Sequence, residues 1–161
     1  MTIGKLIGSI ALIGAALNSY IEMQKFQKKR ICQINAFISL IEYIKNQVEC
    51  FLLPFDIILK KCDRKILNDC FVASDISNIK NMKDLLSSTT FYCDEHIVEI
   101  LKKFSDNFGL SYSKEQISSC EYCCSELIKN RDKILEKDIK NKKIQFAICL
   151  SVSFSIIILL I

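Results

Sequence analysis

Two apolar segments, one at each end of the chain, restrict its fold more than any other feature of the sequence. Residues 3–21 contain a single charge, at Lys5, and residues 144–161 contain none. About 20 apolar residues in helical form cross the hydrocarbon core of a bilayer, so both segments are long enough. The sequence therefore predicts a transmembrane helix in residues 1–22 and another in residues 144–161.

The first segment also has features of a signal peptide. Lys5 would form its basic region, and Ala15 and Ala16 would form a cleavage zone of small residues. The apolar stretch is long for a signal peptide, and a strongly basic cluster that resists translocation follows it directly. This cluster consists of Lys25, Lys28, Lys29 and Arg30. An uncleaved membrane helix is therefore the favoured interpretation.

The distribution of charge predicts the orientation in the membrane. All 18 acidic residues and all but one of the 22 basic residues lie in residues 22–143, and basic residues crowd both ends of this part. The positive-inside rule places residues 23–143, a helical domain, in the cytoplasm and both termini across the membrane. Opposite charges are interleaved, so membrane lipid is an expected partner and nucleic acid is not.

Small residues recur at four-residue spacing in the first segment. Gly4 with Gly8, and Ala11 with Ala15, have the spacing that lets two helix backbones approach closely within a bilayer. We expect these four residues to contact the second segment or another subunit. The alternative is that they reflect only the high glycine and alanine content of membrane helices.

The central part has helical periodicity. Apolar residues at three- and four-residue spacing from Ile31 to Leu52 predict a helix continuous with the first membrane segment. Pro54 is predicted to end that helix and to begin the next one. Short helices are predicted at residues 55–62 and 66–72, and a third is predicted to be capped by Asp75 or Ser77 and to end at Leu86.

Two more helices complete the predicted fold. Asp94 is the expected N-cap of a helix that Gly109 ends. The last helix is predicted to start near Ser111 or Ser113 and to run into the second membrane segment. Two long amphipathic helices that leave the same membrane face would pair antiparallel. The predicted fold is all-α, an antiparallel bundle of about five to six helices with a transmembrane helix at each end.

The chain has nine cysteines, an odd number that argues against a complete disulfide framework. Cys120, Cys123 and Cys124 form the densest group, and Cys93 and His96 are candidates to complete a metal site with them. The favoured interpretation is that the three cysteines fill the helical core as free thiols in a reducing compartment. His96 is expected on the surface. A metal or redox enzyme built on this cysteine cluster remains the alternative.

The search for an active site finds no other candidate. The sequence contains no Ser/His/Asp arrangement, no glycine-rich phosphate loop and no secluded pair of carboxylates. We therefore predict no catalytic, cofactor-binding or metal-binding residues, no small-molecule substrate and no enzymatic activity.

Residues 101–116 read LKKFSDNFGLSYSKEQ and resemble a motif of the stage III sporulation protein AB family of endospore-forming bacteria, L-x-x-F-G-x-x-L-G-x-S-D-x-x-x-Q. The chain has Phe108 at the second leucine of the motif, Ser105 at its first glycine and Tyr112 at its aspartate. The order of membrane segments and helices agrees as well. The residues that match in place are Leu101, Phe104, Gly109, Ser111 and Gln116.

The resemblance implies a function. Such proteins belong to a secretion-like assembly that joins mother cell and forespore, in the mother-cell membrane that faces the forespore. Their soluble domain is similar to the platform domain of type II secretion inner-membrane proteins, and their expected partners are other subunits and a secretion-type ATPase. The expectation is a non-enzymatic platform subunit. The alternative is an unrelated membrane-anchored helical adaptor.

Overall fold

The computed structural model describes residues 3–51, 53–73, 78–109 and 113–160, and these form six α-helices. Contacts divide the chain into two units, residues 29–132 and the two ends, residues 1–28 with 133–161. The all-α prediction is confirmed, and an isolated bridge between Val72 and Thr89 is the single β-type pairing in the described residues. The helices are α1 Ile3–Phe51, α2 Phe55–Lys61, α3 Arg64–Asp69, α4 Met82–Ser87, α5 Glu95–Asn107 and α6 Ser113–Leu160.

The N-terminal end of the chain is the first part of α1, and the C-terminal end is the last part of α6. Within the residues that the structure describes, no helix meets the length and hydropathy needed to cross a membrane. Many side chains of residues 3–21 and 144–161, Gly4 and Ala11 among them, lie outside the described residues. Gly8 and Ala15 are exposed, and a Cβ added at Gly8 would meet no neighbouring atom of the described residues within 4 Å. The predicted membrane segments and small-residue contact therefore stay predictions.

In residues 29–132, α1 is the central helix. From Gln33 to Ile41 every side chain is buried except those of Asn35 and Ser39. A helix that is buried almost all round must have neighbours on several sides. The predicted apolar face is confirmed from Ile34 to Val48. It is wrong at Phe51, which is 65% exposed because the packed part of the helix ends one turn earlier.

The antiparallel pairing of α1 and α6 within this unit is confirmed by three contacts. Arg131 donates a hydrogen bond to Asn35 at 3.2 Å. The Cys124 thiol lies 3.9 Å from the Ile38 carbonyl oxygen, and Lys45 lies 3.3 Å from Glu121. Along α1 the contacting residues rise in number from 35 to 45, while those on α6 fall from 131 to 121. Antiparallel helices show this order of contacts.

The short helices follow local capping rules. α2 begins directly after Pro54, whose carbonyl oxygen accepts from the Ile57 and Ile58 amides at 3.1 Å. The sequence predicted Asp75 or Ser77 as the cap of the third short helix. These two residues lie outside the described residues, and α4 begins only at Met82, where Asn81 accepts a hydrogen bond from the Asp84 amide at 2.9 Å.

Asp94 stands at the predicted N-cap position of α5, but its side chain makes no capping hydrogen bond. Instead it accepts from Arg30 of α1, whose side chain is 13% exposed. The Asp94 carboxylate pairs with this nearly buried guanidinium instead of capping α5. A buried charge without a partner would cost more free energy than the loss of a helix cap.

A buried amide connects α1 to the loops that precede α5. The Gln33 amide nitrogen donates to the carbonyl oxygens of Cys70 at 3.0 Å and Thr90 at 2.7 Å. Its amide oxygen accepts from the Tyr92 backbone at 2.8 Å and from the Cys93 thiol at 3.2 Å. A buried polar group is stable only when hydrogen-bonded, and this amide is fully satisfied.

Substitution of this amide gives a stability prediction. Gln33→Met keeps the side-chain size but leaves the Cys70 and Thr90 carbonyls and the Tyr92 amide without this partner. We expect the free energy of unfolding to fall by about 2–4 kcal/mol. Urea denaturation of the purified full-length chain, followed by circular dichroism, measures the change. Asn46→Met on the exposed face of the same helix should change it by less than about 0.5 kcal/mol; equal effects would contradict the assigned role of Gln33.

Candidate interaction cleft

The family-like motif spans the second half of α5 and the turn into α6. Leu101 and Phe104 are buried in the core of residues 29–132. The Phe108 amide donates to the Phe104 carbonyl oxygen at 3.0 Å and closes the helix. Gly109 follows with a φ of 87°. The motif therefore builds the predicted helix stop, since only glycine adopts this backbone conformation without cost.

Aromatic rings hold this turn in place. The centroid of the Phe108 ring lies 5.2 Å from that of Phe104. It lies 6.0 Å from the centroid of the Phe55 ring at the start of α2, in an edge-on arrangement. Aromatic pairs in edge-on or tilted geometry stabilise a contact beyond their buried area. The end of α5 is thereby fixed against the turn at Pro54.

A cleft of about 660 Å³ opens beside this turn. It is lined by the turn between α1 and α2, the start of α4, the end of α5 and the start of α6. Three of the six predicted motif residues, Phe108, Gly109 and Gln116, line it, together with Ser105 at the substituted glycine position. The other lining residues are Val48, Leu53, Pro54, Phe55, Lys80, Asn81, Met82, Lys83, Asp106 and Ser113.

The remaining motif residues lie either in the core or outside the described residues. Leu101 and Phe104 are in the core, and Ser111 and Tyr112 lie outside the described residues, where α6 is described from Ser113 onward. Ser105 is 7% exposed, and its hydroxyl donates to the Lys102 carbonyl oxygen at 2.7 Å. This local hydrogen bond explains how a serine is accommodated there.

Charged groups stand at the rim of the cleft. Lys83 of α4 and Asp106 of α5 form an ion pair at 2.9 Å, and both side chains are about 60% exposed. The Lys80 backbone amide donates to the Asp84 carboxylate at 3.1 Å, and this hydrogen bond orients Lys80 beside the cleft. The two lysines were not predicted as site residues, because their neighbourhood arises only when α4 packs against α5.

The cysteine cluster is separate from the cleft and lies in the core. Cys120, Cys123 and Cys124 are at most 8% exposed, as predicted for core positions. Burial raises the pKa of Cys120 and Cys123 to about 12 and that of Cys124 to about 11. His96 is exposed, as predicted. Within the described part of the chain, no group of His, Cys, Asp or Glu has metal-binding geometry.

A family comparison now agrees with the fold and the motif. Residues 5–161 match the model of the family described as stage III sporulation protein AB. The chain belongs to this family. The match covers both helical ends, the central unit and the cleft, so the alternative of a protein unrelated to this family is wrong. No curated protein and no solved structure matches the chain significantly.

The positive φ of Gly109 gives a prediction about the family motif. Among the described residues, a Cβ at this position would meet no atom within 4 Å beyond its chain neighbours, so Gly109→Ala should cost mainly backbone strain, about 1 kcal/mol of unfolding free energy. Gly109→Asn is larger but tolerates positive φ better, so we expect it to cost less than alanine. Urea titration of the three proteins tests this order, and a greater loss for asparagine would point to crowding instead.

The raised thiol pKa values give a prediction about reactivity. Cys120 and Cys123 are buried and their raised pKa values disfavour the reactive thiolate, so at pH 8 iodoacetamide should modify exposed Cys50 well before them. Mass spectrometry of tryptic peptides over a time course assigns each site, and denatured protein is the control in which the difference disappears. Alkylation of native Cys120 at the rate of Cys50 would show that the core is open.

Proposed function

We propose that this chain is a non-enzymatic membrane platform subunit of a secretion-like assembly between mother cell and forespore. The observation that carries the proposal is the family match over residues 5–161. Membership implies a role in sporulation, and the platform role follows from the resemblance to type II secretion inner-membrane proteins. In this role the central helices bind partners, which are other subunits of the assembly and a secretion-type ATPase.

Exposed apolar side chains support a membrane location for the two ends. Large side chains at five positions on α1 and α6 are at least half exposed, in stretches without charge. Exposed clusters of this kind are unfavourable in water and typical of surfaces that meet lipid or protein. These positions are Leu17, Ile21, Ile144, Ile148 and Val152. We therefore place residues 1–22 and 144–161 in the mother-cell membrane that faces the forespore, and the central helices in the cytoplasm.

The nature of the cleft supports binding rather than catalysis. Its motif residues form a helix stop and an aromatic contact, and its ion pair is exposed to solvent. Catalytic groups normally lie in secluded sites that perturb their pKa values. In the described part of residues 29–132, the strongly raised pKa values belong to buried or half-buried thiols that pack within the helical core.

Deletion of the gene in its spore-forming host tests the proposed function. We expect engulfment to be completed and heat-resistant spores to be lost, because the forespore loses its connection to the mother cell. Spore counts after heat treatment, with fluorescence microscopy of the membranes, measure both steps. Complementation with the intact gene is the control, and a normal spore yield in the deletion strain contradicts the proposal.

The orientation has a separate test. Alkaline phosphatase fused after Ile161 should be active, because the positive-inside rule places this end outside the cytoplasm. The same enzyme inserted after exposed Lys61, at the junction of α2 and α3 in the central unit, should be inactive, whereas a fluorescent protein inserted there should fold. The opposite pattern would reverse the assigned orientation.

A further inference from the structure

Positive charge is concentrated beside the two apolar ends, and this distribution indicates which lipid the chain binds. We propose that a basic belt on α1 and α6 binds anionic phospholipids in preference to neutral ones. The belt consists of residues 22–28 and 133–143, which belong to the same unit of the chain. The inference rests on the proposed function, which places the adjoining segments in a membrane. It goes further by naming the chemistry of the lipid headgroup and the residues that meet it.

The belt keeps a positive charge when every carboxylate in it is counted. Residues 22–28 contain two lysines and one glutamate, and residues 133–143 contain five lysines, one glutamate and one aspartate, which gives a net charge of +4. The neighbouring charges do not reverse this sign, because Arg131 is paired with Asp132 and Arg30 with Asp94. Residues 31–130, in contrast, contain 11 basic and 14 acidic residues. The excess of positive charge therefore lies next to the apolar ends.

The lysines of the belt are accessible to a headgroup. Lys25 pairs with Glu22 at 2.8 Å, and both side chains are exposed, so this pair contributes little to stability and gives way readily to another anion. Four further lysines are exposed and form no ion pair within the part of the chain that the structure describes. These are Lys28, Lys133, Lys137 and Lys140.

The spacing along the helices sets the belt at the depth of the headgroups. Lys140 precedes Ile144 by four residues and Lys25 follows Ile21 by four, so each lies about 6 Å along its helix from an apolar segment. The headgroup region on each side of a bilayer core is about 5–8 Å thick. Lys28 and Lys137 are about 10 Å from the apolar segments, which is close to one Debye length, and contribute less.

The position of the belt favours a phospholipid over an acidic protein. The belt directly adjoins exposed apolar side chains, among them Ile21 and Ile144, that the proposed function places in the bilayer. Headgroup phosphates then already lie against the lysines, and an acidic protein would have to displace them. A neutral phospholipid balances its phosphate with a cation of its own, whereas an anionic one has a negative charge that a basic cluster beside a membrane segment attracts.

Electron paramagnetic resonance of spin-labelled lipids measures the preference directly. The full-length chain is reconstituted into phosphatidylcholine vesicles that contain a trace of spin-labelled phosphatidylglycerol or spin-labelled phosphatidylcholine, and the immobilised fraction of each label gives their relative association. We expect phosphatidylglycerol to associate about fivefold more strongly, which is the effect of about one lysine near an anionic surface. Raising the NaCl concentration from about 0.05 M to about 0.5 M should lower the ratio to about two or less, because salt screens exposed charges. A ratio near one at low salt, or a ratio that salt leaves unchanged, overturns the proposal.

Charge reversal assigns the preference to the belt. Lys137→Glu combined with Lys140→Glu brings the net charge of the belt to zero and leaves its other five lysines in place. The matched control combines Lys102→Glu with Lys114→Glu, at two exposed positions of the central unit. We expect the ratio to fall to near one in the belt variant and to stay unchanged in the control. An unchanged ratio in the belt variant, or an equal fall in the control, contradicts the assignment. Circular dichroism checks that both variants keep their helices, and the salt dependence of the unmodified chain decides the proposal if the belt variant does not.

Flotation of the same vesicles after alkaline carbonate treatment separates this inference from the proposed function. A chain that floats with the vesicles but shows no preference for phosphatidylglycerol contradicts the belt and leaves the proposed function standing. A chain that carbonate removes from the vesicles does not span the membrane, and both proposals are then wrong. A chain that floats and shows a preference that salt and the belt variant abolish supports both.

Discussion

The burial of α1 on nearly every side is the constraint on which the central unit depends. Between Gln33 and Ile41 only Asn35 and Ser39 are exposed, so the helix is stable only when other helices surround it. α6 covers it antiparallel, with contacts from Asn35 to Lys45. The loops before α5 reach it through Gln33, and the aromatic ring of Phe91 stacks on that of Phe37 at 6.1 Å. The short helices have few buried residues of their own and depend on this framework.

The sequence predicts well those features that are decided within a single helix or turn. The long helices and the stop at Gly109 follow from period and from backbone chemistry, which act over a few residues. Pro54 separates α1 from α2 for the same reason. The antiparallel order of α1 and α6 follows instead from the expectation that both helices leave the same membrane face. The burial of Cys120 and Cys124 follows from their spacing on the apolar face of α6. Local rules are sufficient wherever one element decides the outcome.

Individual side-chain contacts between distant segments were missed. Gln33 is polar and looks like a surface residue in the sequence, yet its partners come from residues 70–93 and bury it completely. Asp94 occupies a cap position but pairs with Arg30, which no local pattern contains. The cleft joins four parts of the chain between Val48 and Gln116, so Lys80 and Lys83 carry no sequence signal of their own. Only the resemblance of residues 101–116 pointed toward this region.

The contacts of Gln33 have a consequence for how the family can vary. Three of its four partners are main-chain atoms, the carbonyl oxygens of Cys70 and Thr90 and the amide of Tyr92. Main-chain groups stay in place when a side chain is exchanged, so substitutions at Thr90 or Tyr92 leave these hydrogen bonds available, whereas a larger side chain at fully buried Cys70 would disturb the core. A mutation at position 33 removes all of the contacts together. Mutational tolerance around this amide is therefore one-sided: part of the loop sequence is free to change, and the glutamine that holds the loops is not.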